Sequence, residues 1–135
     1  MNILLDTHMI LWSLYDPDKL SDEAKAIITD PDNWICYSTV SLWEIEIKRL
    51  KRPDAFGFTA LDMDSDCRLA GFTSVSLNPN HIFALSGIGE NSTDRISHTD
   101  PFDRMLMAQA KSDGMVFLTH DSRLADYHEP NVKTV

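Results

Sequence analysis

Two short runs without polar interruption, Ile3-Leu4-Leu5 and Met115-Val116-Phe117-Leu118, constrain the fold of this chain most. A strand with one wet face alternates apolar and polar residues, whereas a continuously apolar strand must be covered on both faces. That condition selects a sheet sandwiched between helices. Three further β-like runs, Trp34–Tyr37, Ser74–Leu77 and Val132–Val135, are separated by segments with helical signals. Ser21 fits the N-cap of a helix reaching about Thr29, with Asp22 and Glu23 in the first turn, where the helix dipole favours negative charge. Val40, Trp43, Ile47 and Leu50 recur at the spacing of one apolar helical stripe. Residues 59–70 predict a more polar helix ending at Gly71, and Asn78–Leu85 a short one. Asp100-Pro101-Phe102-Asp103 opens a further helix, with Asp100 as N-cap and Pro101 at the first helical position, running through Met107 and Ala110 to Gly114. Residues 86–99 carry Gly, Ser and charge without periodicity and read as a loop. Strands alternating with helices imply right-handed crossovers and parallel pairing. The expected fold is a three-layer α/β domain with about five parallel strands, and 135 residues suit a single domain spanning 1–135.

Composition narrows the function. Twelve Lys+Arg against 21 Asp+Glu leave a net charge of −9. A protein gripping duplex nucleic acid by broad phosphate neutralisation would carry the opposite sign. An enzyme that meets nucleic acid through a local contact and a metal remains open. Cys36 and Cys67 are too few for a disulfide scaffold and read as free thiols in a reducing cytosol. The N-terminus lacks a basic leader region, and no window approaches the roughly 18 apolar residues of a membrane span. A soluble cytoplasmic protein is expected, with no membrane partner.

In a parallel sheet, ligands bind beyond the carboxyl ends of the strands. Asp6 follows the first strand, Glu44 sits early in the helix after the second, Asp103 opens the helix leading into the fourth, and Asp121 follows that strand. Topology thus brings four acids to one edge. Each alone has an ordinary local role: Asp6 as a turn residue, Asp103 as a capping acid, Asp121 as cap of a turn over Ser122–Ala125. Glu44 pairs naturally with Lys48 at i+4, worth about 0.3–0.5 kcal/mol. Those roles do not explain why the four share an edge. Crowded carboxylates raise one another's pKa unless a cation joins them. Oxygen-only ligands select Mg²⁺ or Mn²⁺, and neither zinc spacing nor a Gly-rich phosphate loop is present. A phosphoreceiver is excluded because Asp6 has no acidic neighbour and Leu77 is followed by Asn78-Pro79. Metal-assisted chemistry on a phosphate ester remains.

Four blocks then carry a resemblance: LLDTHMILW (4–12), VSLWEIEIK (40–48), HTDPFDRMLMAQA (98–110) and FLTHD (117–121). In order and in register, they resemble PIN-domain ribonucleases, and more narrowly VapC-type toxins of bacterial type II toxin–antitoxin systems. The resemblance implies a Mg²⁺-dependent endoribonuclease, with Mn²⁺ as a substitute, whose quartet falls on Asp6, Glu44, Asp103 and Asp121. It assigns supporting hydroxyls to Thr7 and Thr119, for the first and last acids, with Asp100 as a further acid. Lys48 and Arg104 match basic positions. Lys48, Arg49, Lys51 and Arg52 form a cluster that could meet phosphate, or that simply complements a helix C-terminus. Arg95 is a further candidate. The resemblance also implies RNA as substrate, an antitoxin with a basic inhibitory segment, and a homodimer. Residues 86–99 depart from the family, whose connection there is shorter and contains Leu-Pro. A housekeeping PIN nuclease without antitoxin and a catalytically silent RNA-binding module are the alternatives; the complete quartet disfavours the second.

Overall fold

A computed structural model describes residues 1–90, 92, 96 and 99–135. Five strands, β1 (Asn2–Leu5), β2 (Trp34–Ser38), β3 (Thr73–Val75), β4 (Val116–Thr119) and β5 (Val132–Thr134), form one sheet in the order β3-β2-β1-β4-β5. Every pairing is parallel. Six α-helices are described: α1 (Thr7–Tyr15), α2 (Asp22–Thr29), α3 (Thr39–Lys51), α4 (Ala60–Leu69), α5 (Pro79–Ala84) and α6 (Pro101–Ser112). The expected parallel α/β architecture is present.

The uninterrupted apolar runs become the two strands at the centre. Side chains alternate across a strand. Ile3, Leu5, Ile35, Tyr37 and Leu118 therefore point into one core with Met9, Ile10 and Met63. Leu4, Cys36 and Phe117 point into the other, with Leu106, Met107 and Ala110 of α6. Helices cover both faces, as the sequence required. Both cysteines are buried free thiols.

Four local expectations need correcting. Helix α1 was not anticipated, because its sequence is apolar nearly all round and offers little periodicity. Strand β3 begins at Thr73 and ends at Val75, rather than spanning Ser74–Leu77. Within the segment read as a loop, Gly87 closes a 3₁₀ turn over Leu85–Gly87. The apolar stripe on α3 is buried only at Val40 and half-buried at Ile47. Trp43 and Leu50 are exposed, while Val40, Ser41, Glu44 and Ile45 are buried. A helix turns Ser and Glu inward only where polar partners await them.

A polar network inside the second core ties α6 to its neighbours. His81, fully buried, accepts the Asn78 N–H at Nδ1 (3.1 Å). Its proton therefore sits on Nε2, which donates to Asp113 Oδ2 (2.9 Å). Gln109 Nε2 lies 3.4 Å from His81 Nδ1, and Gln109 Oε1 accepts from the Ser38 hydroxyl. Ser38 in turn caps α3 by accepting the Val40 N–H (2.9 Å). Replacing Gln109 by Leu leaves the Ser38 hydroxyl without its acceptor, at a cost of about 1–3 kcal/mol. Gln109→Leu should lower the urea midpoint with an unchanged slope; an unaltered midpoint would show that the network contributes nothing.

Candidate active site

The strand order reverses direction between β1 and β4, since β2 and β3 lie on one side of β1 and β4 and β5 on the other. Such a reversal opens a crevice at the carboxyl edge. A cavity of about 500 Å³ lies there, lined by Asp6, Glu44, Asp100, Asp103 and Asp121 together with His8, Trp12, Lys48, His120, Ser122 and Arg123. All four acids of the expected quartet, and Asp100, border this one space.

Each acid is positioned by its element. The Asp6 N–H extends the β1–β4 ladder by donating to the Leu118 carbonyl (2.9 Å). The Thr119 hydroxyl donates to Asp6 Oδ2 (2.6 Å) and accepts the Asp121 N–H (3.0 Å). One hydroxyl thereby sets two acids. Glu44 is buried; its Oε1 accepts from the Thr7 hydroxyl (2.7 Å), which also lies 2.8 Å from Ser41 Oγ. Glu44 Oε2 accepts from Lys48 Nζ (2.6 Å). Asp100 caps α6 by accepting the Phe102 and Asp103 N–H groups (2.9 and 3.1 Å). Asp121 caps the 3₁₀ helix Ser122–Tyr127 through the Arg123 N–H (3.0 Å) and pairs with the Arg123 guanidinium (2.7 and 2.9 Å). The Thr119 hydroxyl contacts both Asp6 and the Asp121 amide, whereas the Thr7 hydroxyl holds Glu44 rather than Asp6.

Burial pushes the Asp6 carboxyl above its ordinary value of 3.8. The Thr119 hydroxyl and His8 pull the other way, and the Glu44 carboxylate adds a smaller upward push. An elevated acid was expected from crowding; burial is the larger cause.

The basic residues separate. Lys48 borders the cavity because i and i+4 share a helix face. Arg49, one residue further round, pairs with Glu46 instead. Arg104 likewise turns away from Asp103 to lie over the Tyr127 ring, 5.7 Å from its centroid, beside a separate apolar cavity. Arg95 lies outside the described residues, as does much of the 86–99 segment. Arg123, His8, Trp12 and His120 were not singled out from sequence. Their signal was available: each lies within a few positions of Asp6 or Asp121.

In kind, five carboxylates without a thiol suit a hard divalent cation. Among the described residues, no three acidic, His or Cys side chains converge as a metal-binding group. Glu44 and Asp121 are instead engaged by Lys48 and Arg123.

The family model for the PIN domain matches residues 3–130. The chain belongs to the PIN domain family. No curated protein matches it in sequence. Its fold is similar to that of a chain in the crystal structure of VapBC2 from Rickettsia felis bound to a DNA fragment from their promoter, with TM-score 0.69 and 14% identity over 99% of this chain and 98% of that one. A chain of DNA-bound VapBC from Salmonella typhimurium gives TM-score 0.60 and 15% identity over 100% and 97%. A toxin–antitoxin complex from Klebsiella pneumoniae gives 0.59 and 15% over 98% and 96%.

The buried Asp6 carboxyl makes stability depend on pH. Above pH 3.8 the unfolded chain releases this proton while the folded chain, with its higher pKa, retains it. Stability is therefore lost as pH rises from about 4 through the folded value. Asp6→Asn keeps the shape and an oxygen for Thr119 without that loss. In EDTA the variant should melt above the parent at pH 7.5, with the gap closing as the pH falls to about 4. A gap that does not vary with pH would show that ionising Asp6 carries no penalty.

Proposed function

We propose that this chain is a single PIN domain acting as a metal-dependent endoribonuclease, the toxin of a type II toxin–antitoxin pair working in the cytoplasm as a homodimer. One observation carries the nuclease reading: Asp6, Glu44, Asp103 and Asp121, from four separate elements, border one cavity at the strand-order reversal. The toxin reading rests on the resemblance of the four sequence blocks to VapC-type toxins. It is supported by the fold shared with chains of VapBC and toxin–antitoxin complexes.

Asp6, Glu44, Asp103 and Asp121, which border the cavity without converging, would have to close on Mg²⁺ or Mn²⁺ as Lys48 and Arg123 give up their carboxylates. When bound, such an ion supplies acidity to the attacking water and neutralises charge on the phosphate oxygens. The protein supplies the rest. Thr119 fixes Asp6 and the Asp121 backbone, and Thr7 fixes Glu44, so these acids are oriented before substrate arrives. Asp121 or Asp103 orients the water and takes its proton. Lys48, with its side chain 47% exposed, exchanges Glu44 for a substrate phosphate. Asp100 holds the first turn of α6 and hence the backbone of Asp103.

Asp6→Asn, Glu44→Gln, Asp103→Asn and Asp121→Asn should each reduce metal-dependent RNA cleavage to background while retaining the fold. Asp100→Asn should be milder, because Asn also caps helices. Mn²⁺ at a hundred times its Kd should stabilise the parent by about 2.7 kcal/mol. Cleavage that survives EDTA, or an active Asp6→Asn variant, would refute the site.

An acidic cavity that already accepts Lys48 and Arg123 suits a basic inhibitory segment from an antitoxin. Co-expression with the adjacent small reading frame should yield a stable, inactive complex. If no such frame exists and expression is harmless to growth, the housekeeping nuclease replaces the toxin.

A further inference from the structure

The acids do not form the whole border of the cavity. His8, Trp12 and His120 also line it, and their rings are in contact. The His8 and Trp12 centroids are 5.9 Å apart at an interplanar angle of 48°, and Trp12 and His120 are 5.0 Å apart at 72°. Trp12 is half-buried and packs against the core of β1 and α1, which seats the indole. His120 is steered by its Nδ1, 2.9 Å from the Val135 main-chain oxygen. Both imidazoles are exposed. Covering the end of β1 would account for the indole alone. It does not account for two exposed rings set against it at the mouth of a polar cavity.

Substrate affinity is the unsolved part of a nuclease with net charge −9. Among the described residues, the Lys and Arg side chains that border the cavity, Lys48 and Arg123, are paired with its acids. Phosphate contact by the described cations is therefore limited to what these two pairs give up, and a feature of RNA that needs no charge adds to it. Every nucleobase has a π-face, and stacking on aromatic side chains tolerates any sequence. We propose that His8, Trp12 and His120 form a stacking wall that holds an unpaired nucleobase of single-stranded RNA beside the acids. The choice of RNA as the ligand and the place of the scissile phosphate rest on the nuclease reading, whereas base-dependent binding is measured without cleavage.

The test measures binding by the full chain of a fluorescein-labelled single-stranded RNA hexamer, followed by polarisation in Ca²⁺. Six further hexamers each lack one base. For the parent protein, one abasic position should weaken binding about tenfold, in line with the loss of one stacked base. His120→Ala and Trp12→Leu should each weaken the intact hexamer by a similar factor and no longer distinguish the abasic one. His8→Ala and His120→Ala replace exposed rings, so they keep the test decisive if Trp12→Leu fails to fold. Equal binding of intact and abasic hexamers by the parent, or no binding at all, overturns the wall. Cleavage by the parent in Mn²⁺ is scored separately. Base-dependent binding without cleavage would remove the nuclease reading and keep the wall, whereas cleavage with base-independent binding would do the reverse.

Discussion

Parallel pairing of β1 with β4 brings residues from opposite ends of the chain into register, and it does not stop at the last strand residue. The ladder continues through the Asp6 amide onto Leu118, and the Thr119 hydroxyl then closes on the Asp6 carboxyl. A buried acid is tolerable only where its desolvation is offset by hydrogen bonds of this kind. Because Thr119 also receives the Asp121 amide, the same contact sets the direction in which the chain leaves β4. The mouth of the cavity, the exit of both central strands and the placement of two acids thus share one hydroxyl.

The other side of the site obeys a different logic. Glu44 and Asp121 are neutralised by the protein's own cations, Lys48 and Arg123, drawn from the same elements as the acids. Lys48 and Arg123 stand partly in solvent, where an ion pair is weak and exchangeable. The carboxylates at the cavity are therefore not a bare cluster of like charges. Local pairing does not argue against the proposed catalytic role, because exposed Lys and Arg ends can exchange partners.

The layer architecture was legible because two strands buried on both faces leave a signature that other folds do not. The edge on which the acids gather was legible for the same reason, since parallel topology fixes it before any side chain is placed. Helix α3 shows where such reading fails. Its apolar residues suggested one stripe, yet Trp43 and Leu50 face solvent while Ser41 and Glu44 face inward. Periodicity assumes that burial is apolar, and it inverts where a polar cavity supplies partners. The basic residues failed through geometry: Arg104 and Arg49 are adjacent in sequence to site-facing positions, but about 100° further round their helices. Arg123, by contrast, follows Asp121 in a tight turn that folds it back onto the carboxylate.

Helix α6 spans two polar centres. Its first turn carries Asp100 and Asp103 at the cavity, and its last turn carries Gln109, with Asp113 just beyond, in the buried network around His81. The helix is 12 residues long, or about 18 Å at 1.5 Å per residue. Between the two ends, Leu106, Met107, Ala108 and Ala110 are buried. The helix is therefore held at both ends. The position of Asp103 is thus shared between its own cap and the grip of an imidazole and an amide at the other end of the helix.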